Sequence, residues 1–208
     1  FKYYSSNIIG CENFLPPLAL QEIRIELSNN RGNFNVSSWF NSKKEESQHF
    51  FSSHCGGFDY WINHGEQKLN NEKIMDLHKW FYNQGLFTFI KQKKNVFSLL
   101  EKPRKHNIHV VAYNHGGYYN WHKDSEMFTF NLVLNQGSNL LGGDMLFMDD
   151  GKIITIPNQD NFMVVFPSYI DHAITQIKSK DGKEIEFMCS MQNHKDSTVS
   201  IPVFKDIL

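Results

Sequence analysis

The sequence has no apolar run approaching the roughly 18 residues of a membrane span. Its three cysteines, Cys11, Cys55 and Cys189, are odd in number and far apart, which excludes a disulfide framework and a zinc ribbon and reads as incidental free thiols. A reducing, cytoplasmic setting is the expectation; no signal peptide is visible, and because the chain begins at Phe1 a trimmed leader stays open. Charge of one sign is also missing. With a net charge of −1 there is no broad basic field for nucleic acid or membrane surfaces, although a local patch is not excluded. Arginine stops at Arg104. What is abundant is aromatic: 14% of 208 residues, 18 of them Phe, enough for a sizeable core in one domain.

The two halves differ in pattern. Residues 8–104 read as helical support and loops. Asn13-Phe14-Leu15-Pro16-Pro17 opens a run with Leu18, Leu20, Ile23 and Leu27 near helical spacing, and a second helical pattern runs over 68–100, interrupted at Gly85. After Pro103 short strands alternate with turns: 109–113, 127–134, 145–148, 153–156, 162–166, and a hairpin pairing 173–177 with 185–191. The expected fold is α+β with a mainly β core over 105–194, a jelly roll or barrel braced by N-terminal helices, and a polar tail over 195–208. No repeat or linker divides the chain.

The chemistry lies in His122-Lys123-Asp124 and His172. Two histidines and one carboxylate on one side of an iron(II) ion leave positions open for cosubstrate and dioxygen. On an extended segment, residues i and i+2 point the same way, so His122 and Asp124 can reach one ion. His172 follows after several short strands, enough to return the chain to the same end. His194-Lys195-Asp196 repeats the tripeptide, but no histidine follows it, and it reads as surface. His64-Gly65-Glu66 precedes the strand-rich half and reads as loop.

Tyr113-x-x-Gly116-x-x-Tyr119-x-x-His122-x-Asp124, Leu132-x-Leu134-Asn135, Gly142-Gly143-Asp144-Met145, Pro157, Phe166-Pro167-Ser168 and His172-Ala173-Ile174 resemble, in order, the prolyl-hydroxylase branch of the Fe(II)/2-oxoglutarate-dependent dioxygenases. The resemblance is strong over 106–193 and weaker back to about residue 8. It implies a double-stranded β-helix, cupin-like, holding Fe(II) through His122, Asp124 and His172. It also implies 2-oxoglutarate and O2 as cosubstrates, with ascorbate as a reductant, and oxidative decarboxylation to succinate and CO2 coupled to attack on an unactivated C–H bond. The implied substrate is a prolyl residue in a peptide or protein; a free amino acid or small metabolite, or a non-enzymatic metal-binding or sensing module, are the alternatives.

Many relatives use Arg for the distal carboxylate of 2-oxoglutarate. Here the role falls to Lys, with Lys178, Lys180 and Lys183 as candidates. Parity selects Lys183, which shares a face with Ile185, Phe187, Cys189 and Met191. Tyr113 and Asn131 are expected at the cosubstrate, and relatives often carry Tyr where Val133 stands. Tyr119, Trp121 and Thr129 are candidates for substrate contact or for supporting the ligands. Residues 36–66 are expected to form a cover with Trp39 and Trp61 on the substrate and Gly56-Gly57 as hinge.

Overall fold

The computed structural model describes residues 1–29, 35–36, 54–61, 73, 77–81, 84–91, 96–101, 107–124, 127–135, 140–180 and 188–195. Two short strands lead, β1 (Lys2–Ser5) and β2 (Ile8–Cys11), followed by α1 (Pro17–Asn29). β3 (Asn35–Val36), β4 (His54–Trp61), α2 (Leu77–Phe81), α3 (Gln84–Lys91) and a 3₁₀ helix (Val96–Glu101) complete the first half. The second half holds β5 (Asn107–His122), β6 (Phe128–Asn135), β7 (Leu140–Leu141), β8 (Met145–Asp149), β9 (Lys152–Ile156), β10 (Phe162–Pro167), β11 (Asp171–Ile174), β12 (Lys178–Ser179) and β13 (Met188–Lys195).

Phe128-Thr-Phe-Asn-Leu-Val-Leu in β6 shows how the layers are built, because this strand is buried along nearly its whole length. Phe128, Phe130, Leu132 and Leu134 face one way and pack with Ile23, Leu27, Leu77, Phe81, Ile90 and Phe97 of the helical layer. Val133 faces the other way, into a second core with Val111, Tyr113, Phe147, Phe166 and Ile174. A strand covered on both faces needs apolar residues at both parities, and the polar exceptions are Thr129 and Asn131 on the inner face.

All pairings among the strands are antiparallel, in the order β1-β2-β10-β6-β13-β5-β11-β8-β9, with β3 and β4 beside β5 and a separate β7–β12 pair. Residues 107–113 of β5 pair with β13, whereas Tyr119 and His122 pair with β11, so one strand serves both layers. Gly116 (φ +85°) lies between the two halves, its N–H donating to Ile177 O at 2.7 Å. This is the expected double-stranded β-helix with helices on one side.

Several local readings change. In the hairpin expected between 173–177 and 185–191, the described strands are not partners: β11 pairs with β5 and β8, and β13 with β5 and β6, because successive strands alternate between layers as the sheet rolls. The N-terminus is strand rather than helical support, β2 extending the sheet at β10. Gly85 sits in the first turn of α3 instead of ending a helix, and Leu18 is exposed while Ile23 and Leu27 carry the apolar face of α1. Gly56-Gly57 lies within β4 at a register shift against β5, which replaces the hinge with a bulge. His194 and Lys195 belong to β13, His194 in register with Thr129, so the second tripeptide begins in the sheet and not in a tail.

Two polar fastenings tie α1 to the β layers. Asn161, at φ +53°, accepts from Leu15 N (2.9 Å) and donates to Leu15 O (2.8 Å), fixing the entry to the helix beside Pro17 at its first position. Arg24 reaches Asp160 at 2.6 Å and Asn135 O at 2.9 Å. Near the other layer, Gly142 (φ +72°) passes so close to residue 176 that a Cβ would stand 2.0 Å from Gln176 O. Gly142→Ala therefore combines left-handed strain of about 1–2 kcal/mol with a backbone clash, and a melting temperature lower by roughly 5–10 °C is expected in thermal unfolding. An unchanged melting temperature would mean that the 140–144 and 174–177 segments pack less tightly than this.

Candidate metal centre

His122 ends β5 and stands directly opposite His172 in the β5–β11 pair, so both side chains share the inner face. Their ring centroids are 4.0 Å apart. The chain then leaves the strand, and the backbone N–H of Asp124 donates to Ser168 O at 3.0 Å, which brings its carboxylate back toward the two imidazoles. His122 Nε2 lies 3.5 Å from Asp124 Oδ1, and His172 Nε2 lies 3.6 Å from Asp124 Oδ2.

The tautomers follow from what each ring touches. His122 Nδ1 is 2.8 Å from Asn120 O and His172 Nδ1 is 3.0 Å from Ile170 O. A carbonyl only accepts, so both Nδ1 atoms carry the proton and both Nε2 atoms present a lone pair toward the carboxylate. The ligand atoms of all three residues fall within 4.8 Å of one another, the group of this kind found among the described residues. Bonds of roughly 2.1 Å to one ion at right angles would place neighbouring donors about 3 Å apart, so the set closes by side-chain adjustments of about an ångström. Two neutral imidazoles and one carboxylate fit a divalent first-row metal.

The surroundings hold the donors still. His172 is buried, with Phe166 edge-on at 4.8 Å and Phe147 at 6.1 Å between centroids. Tyr119 stacks on His122 at 3.9 Å with 25° between the planes. Thr129 Oγ1 donates to Asp124 Oδ2 at 2.5 Å and lies 2.8 Å from Ser168 Oγ.

The sequence candidates thus separate. His122, Asp124 and His172 converge, with Thr129 and Tyr119 touching them. Tyr113 and Asn131 are buried; Tyr113 packs in the inner core, and Asn131 shares the inward parity of Val133. Trp121 is 44% exposed, on the opposite strand face from His122. Trp61 lies in β4 in register with His109, its side chain outside the described residues. Lys183 and Trp39 also lie outside the described residues. Positions 189 and 191 are in register with Leu134 and Leu132, on the helix-packed face of β6, and positions 190 and 192 with Val133 and Asn131. Ser168 was quoted within a motif but given no role; its signal is a small hydroxyl residue amid a wholly buried strand end.

No family model matches the chain, and no curated protein matches it in sequence. Solved structures do. A prolyl hydroxylase from Trichoplax adhaerens, in complex with a peptide fragment of the hypoxia inducible factor oxygen degradation domain, is similar with a TM-score of 0.64 at 16% identity, over 92% of this chain and 84% of that one. A prolyl-4-hydroxylase from Pseudomonas putida gives 0.59 at 16% identity over 92% of each chain. The viral collagen prolyl hydroxylase of Paramecium bursaria Chlorella virus-1, in its 2-oxoglutarate complex, gives 0.50 at 15% identity over 91% and 96%. The fold of this chain is accordingly the double-stranded β-helix that these prolyl hydroxylases share, and it brings together a His-Asp-His group that could hold a metal ion.

Proposed function

We propose that this protein is an Fe(II)- and 2-oxoglutarate-dependent dioxygenase that hydroxylates a prolyl residue in a peptide or protein, releasing succinate and CO2. The observation that carries the reading is the convergence of His122, Asp124 and His172, each imidazole turned by a backbone carbonyl so that Nε2 faces the carboxylate. Bound there, Fe(II) would bring 2-oxoglutarate and O2 together and supply the oxidising chemistry. The residues of the chain hold the ion from one side, and Phe147 and Phe166 keep water from His172. Lys183, Tyr113 and Asn131 remain the residues proposed for the cosubstrate, and Trp39, Trp61, Tyr119 and Trp121 those proposed for the substrate side. The peptide substrate is favoured by a structural neighbour whose own complex holds a peptide fragment. No helix among the described residues is long and apolar enough to cross a membrane.

Incubation with Fe(II), ascorbate, 2-oxoglutarate and a panel of proline-containing peptides tests this directly. The expected result is a peptide heavier by one oxygen, with succinate formed in equal amount, by mass spectrometry. Oxidation of free amino acids alone would retire the peptide substrate. No 2-oxoglutarate turnover with any substrate would favour a metal-binding or sensing module.

A further inference from the structure

We infer that Ser168 and Thr129 form a two-hydroxyl relay that fixes the orientation of the Asp124 carboxylate for metal binding; this rests on the metal-centre reading above. A carboxylate accepts and does not donate, so the single hydroxyl proton of Thr129 is committed to Asp124 Oδ2. The contact between Thr129 Oγ1 and Ser168 Oγ at 2.8 Å then has one possible direction, Ser168 donating to Thr129. Both hydroxyl residues are fully buried, so water does not compete for either bond, and each donor polarises the next. Ser168 acts on the ligand a second time, because its carbonyl accepts the backbone N–H of Asp124 at 3.0 Å, and its own N–H donates to Met127 O at 3.1 Å. One residue thus sets both the backbone and the carboxylate plane of Asp124.

The consequence is an orientation of the carboxylate. Oδ1 faces His122 Nε2 at 3.5 Å and Oδ2 faces His172 Nε2 at 3.6 Å, so a carboxylate that loses its bond from Thr129 can rotate away from the point on which the three donors converge. Thr129 and Ser168 are positioning residues: they act through Asp124.

Co(II) alone, added to the full chain, tests the relay without any turnover. Wild type is expected to bind it and Asp124→Ala to lose it. Thr129→Val should weaken binding by about 10- to 100-fold and alter the visible d–d absorption of bound Co(II), as expected when a partner of a metal ligand is removed. Thr129→Ser, which restores the hydroxyl, should return both affinity and spectrum nearly to wild type, and Ser168→Ala should fall between. If Thr129→Val does not fold, Ser168→Ala, checked by thermal unfolding, carries the test against Thr129→Ser. Wild-type affinity and spectrum in Thr129→Val and Ser168→Ala, with Asp124→Ala inactive in binding, would overturn the relay and leave the metal centre standing. Equal loss in Thr129→Val and Thr129→Ser would assign the effect to packing and overturn it too. A wild type that binds no Co(II) would remove the metal centre itself, and the relay with it.

Discussion

Alanine at His172 is expected to abolish 2-oxoglutarate turnover and to weaken metal binding by more than about a hundredfold, since partners that merely orient a ligand are worth about 10- to 100-fold. The same loss is expected for His122→Ala and Asp124→Ala, because the three donors close on one point and none of them has a substitute in the described residues. Packing must be separated from ligation. His172 is buried between Phe147 and Phe166, and its removal leaves a hole that costs stability whatever its metal role. The side chain of His122 is 21% exposed, so its loss disturbs the core less. Equal loss of metal binding in the two variants, with different melting temperatures, is the signature of ligation. His194→Ala supplies the contrast. Its backbone stands opposite Thr129, and as a residue outside the proposed triad it should leave metal binding unchanged. Should His194→Ala lose the metal while His172→Ala keeps it, the assignment of the triad is wrong.

The clustering of His122, Asp124 and His172 was legible in part. An antiparallel partner brings His172 opposite His122, whereas Asp124 lies past the end of β5 and is turned back by its N–H bond to Ser168 O. Strand alternation likewise turns Thr129, Asn131 and Val133 to one face of β6. Strand partners were not legible. The run 173–177 is followed by turn residues and another apolar run, which by local rules is a hairpin, but a rolled sheet sends successive strands to opposite layers. An apolar parity has two places to go when one side of a sheet meets helices and the other meets the roll's interior, and alternation alone does not say which. Ser168 was invisible as a functional residue because its effect runs through Thr129, whose contact with it joins residues 39 apart in sequence.

Lys183→Ala is expected to raise the Michaelis constant for 2-oxoglutarate by one or more orders of magnitude while leaving Co(II) or Mn(II) binding unchanged. A dicarboxylate entering a core lined by Val111, Val133, Phe147, Phe166 and Ile174 loses its hydration, and its distal charge needs a cation. Away from the metal donors and Thr129, buried polar side chains described near the inner core include Tyr113 and Asn131, which can donate hydrogen bonds but carry no positive charge. Lys178 and Lys180 are exposed, Lys178 in a strand paired to Leu141, and alanine at either should change the constant by less than about twofold. Losing a charge-assisted bond to a desolvated carboxylate costs on the order of 2–5 kcal/mol, which is the source of the predicted magnitude. The titration decides it. A raised constant for Lys183→Ala alone assigns the distal carboxylate to that residue; a normal one, with metal binding intact, moves it to another residue.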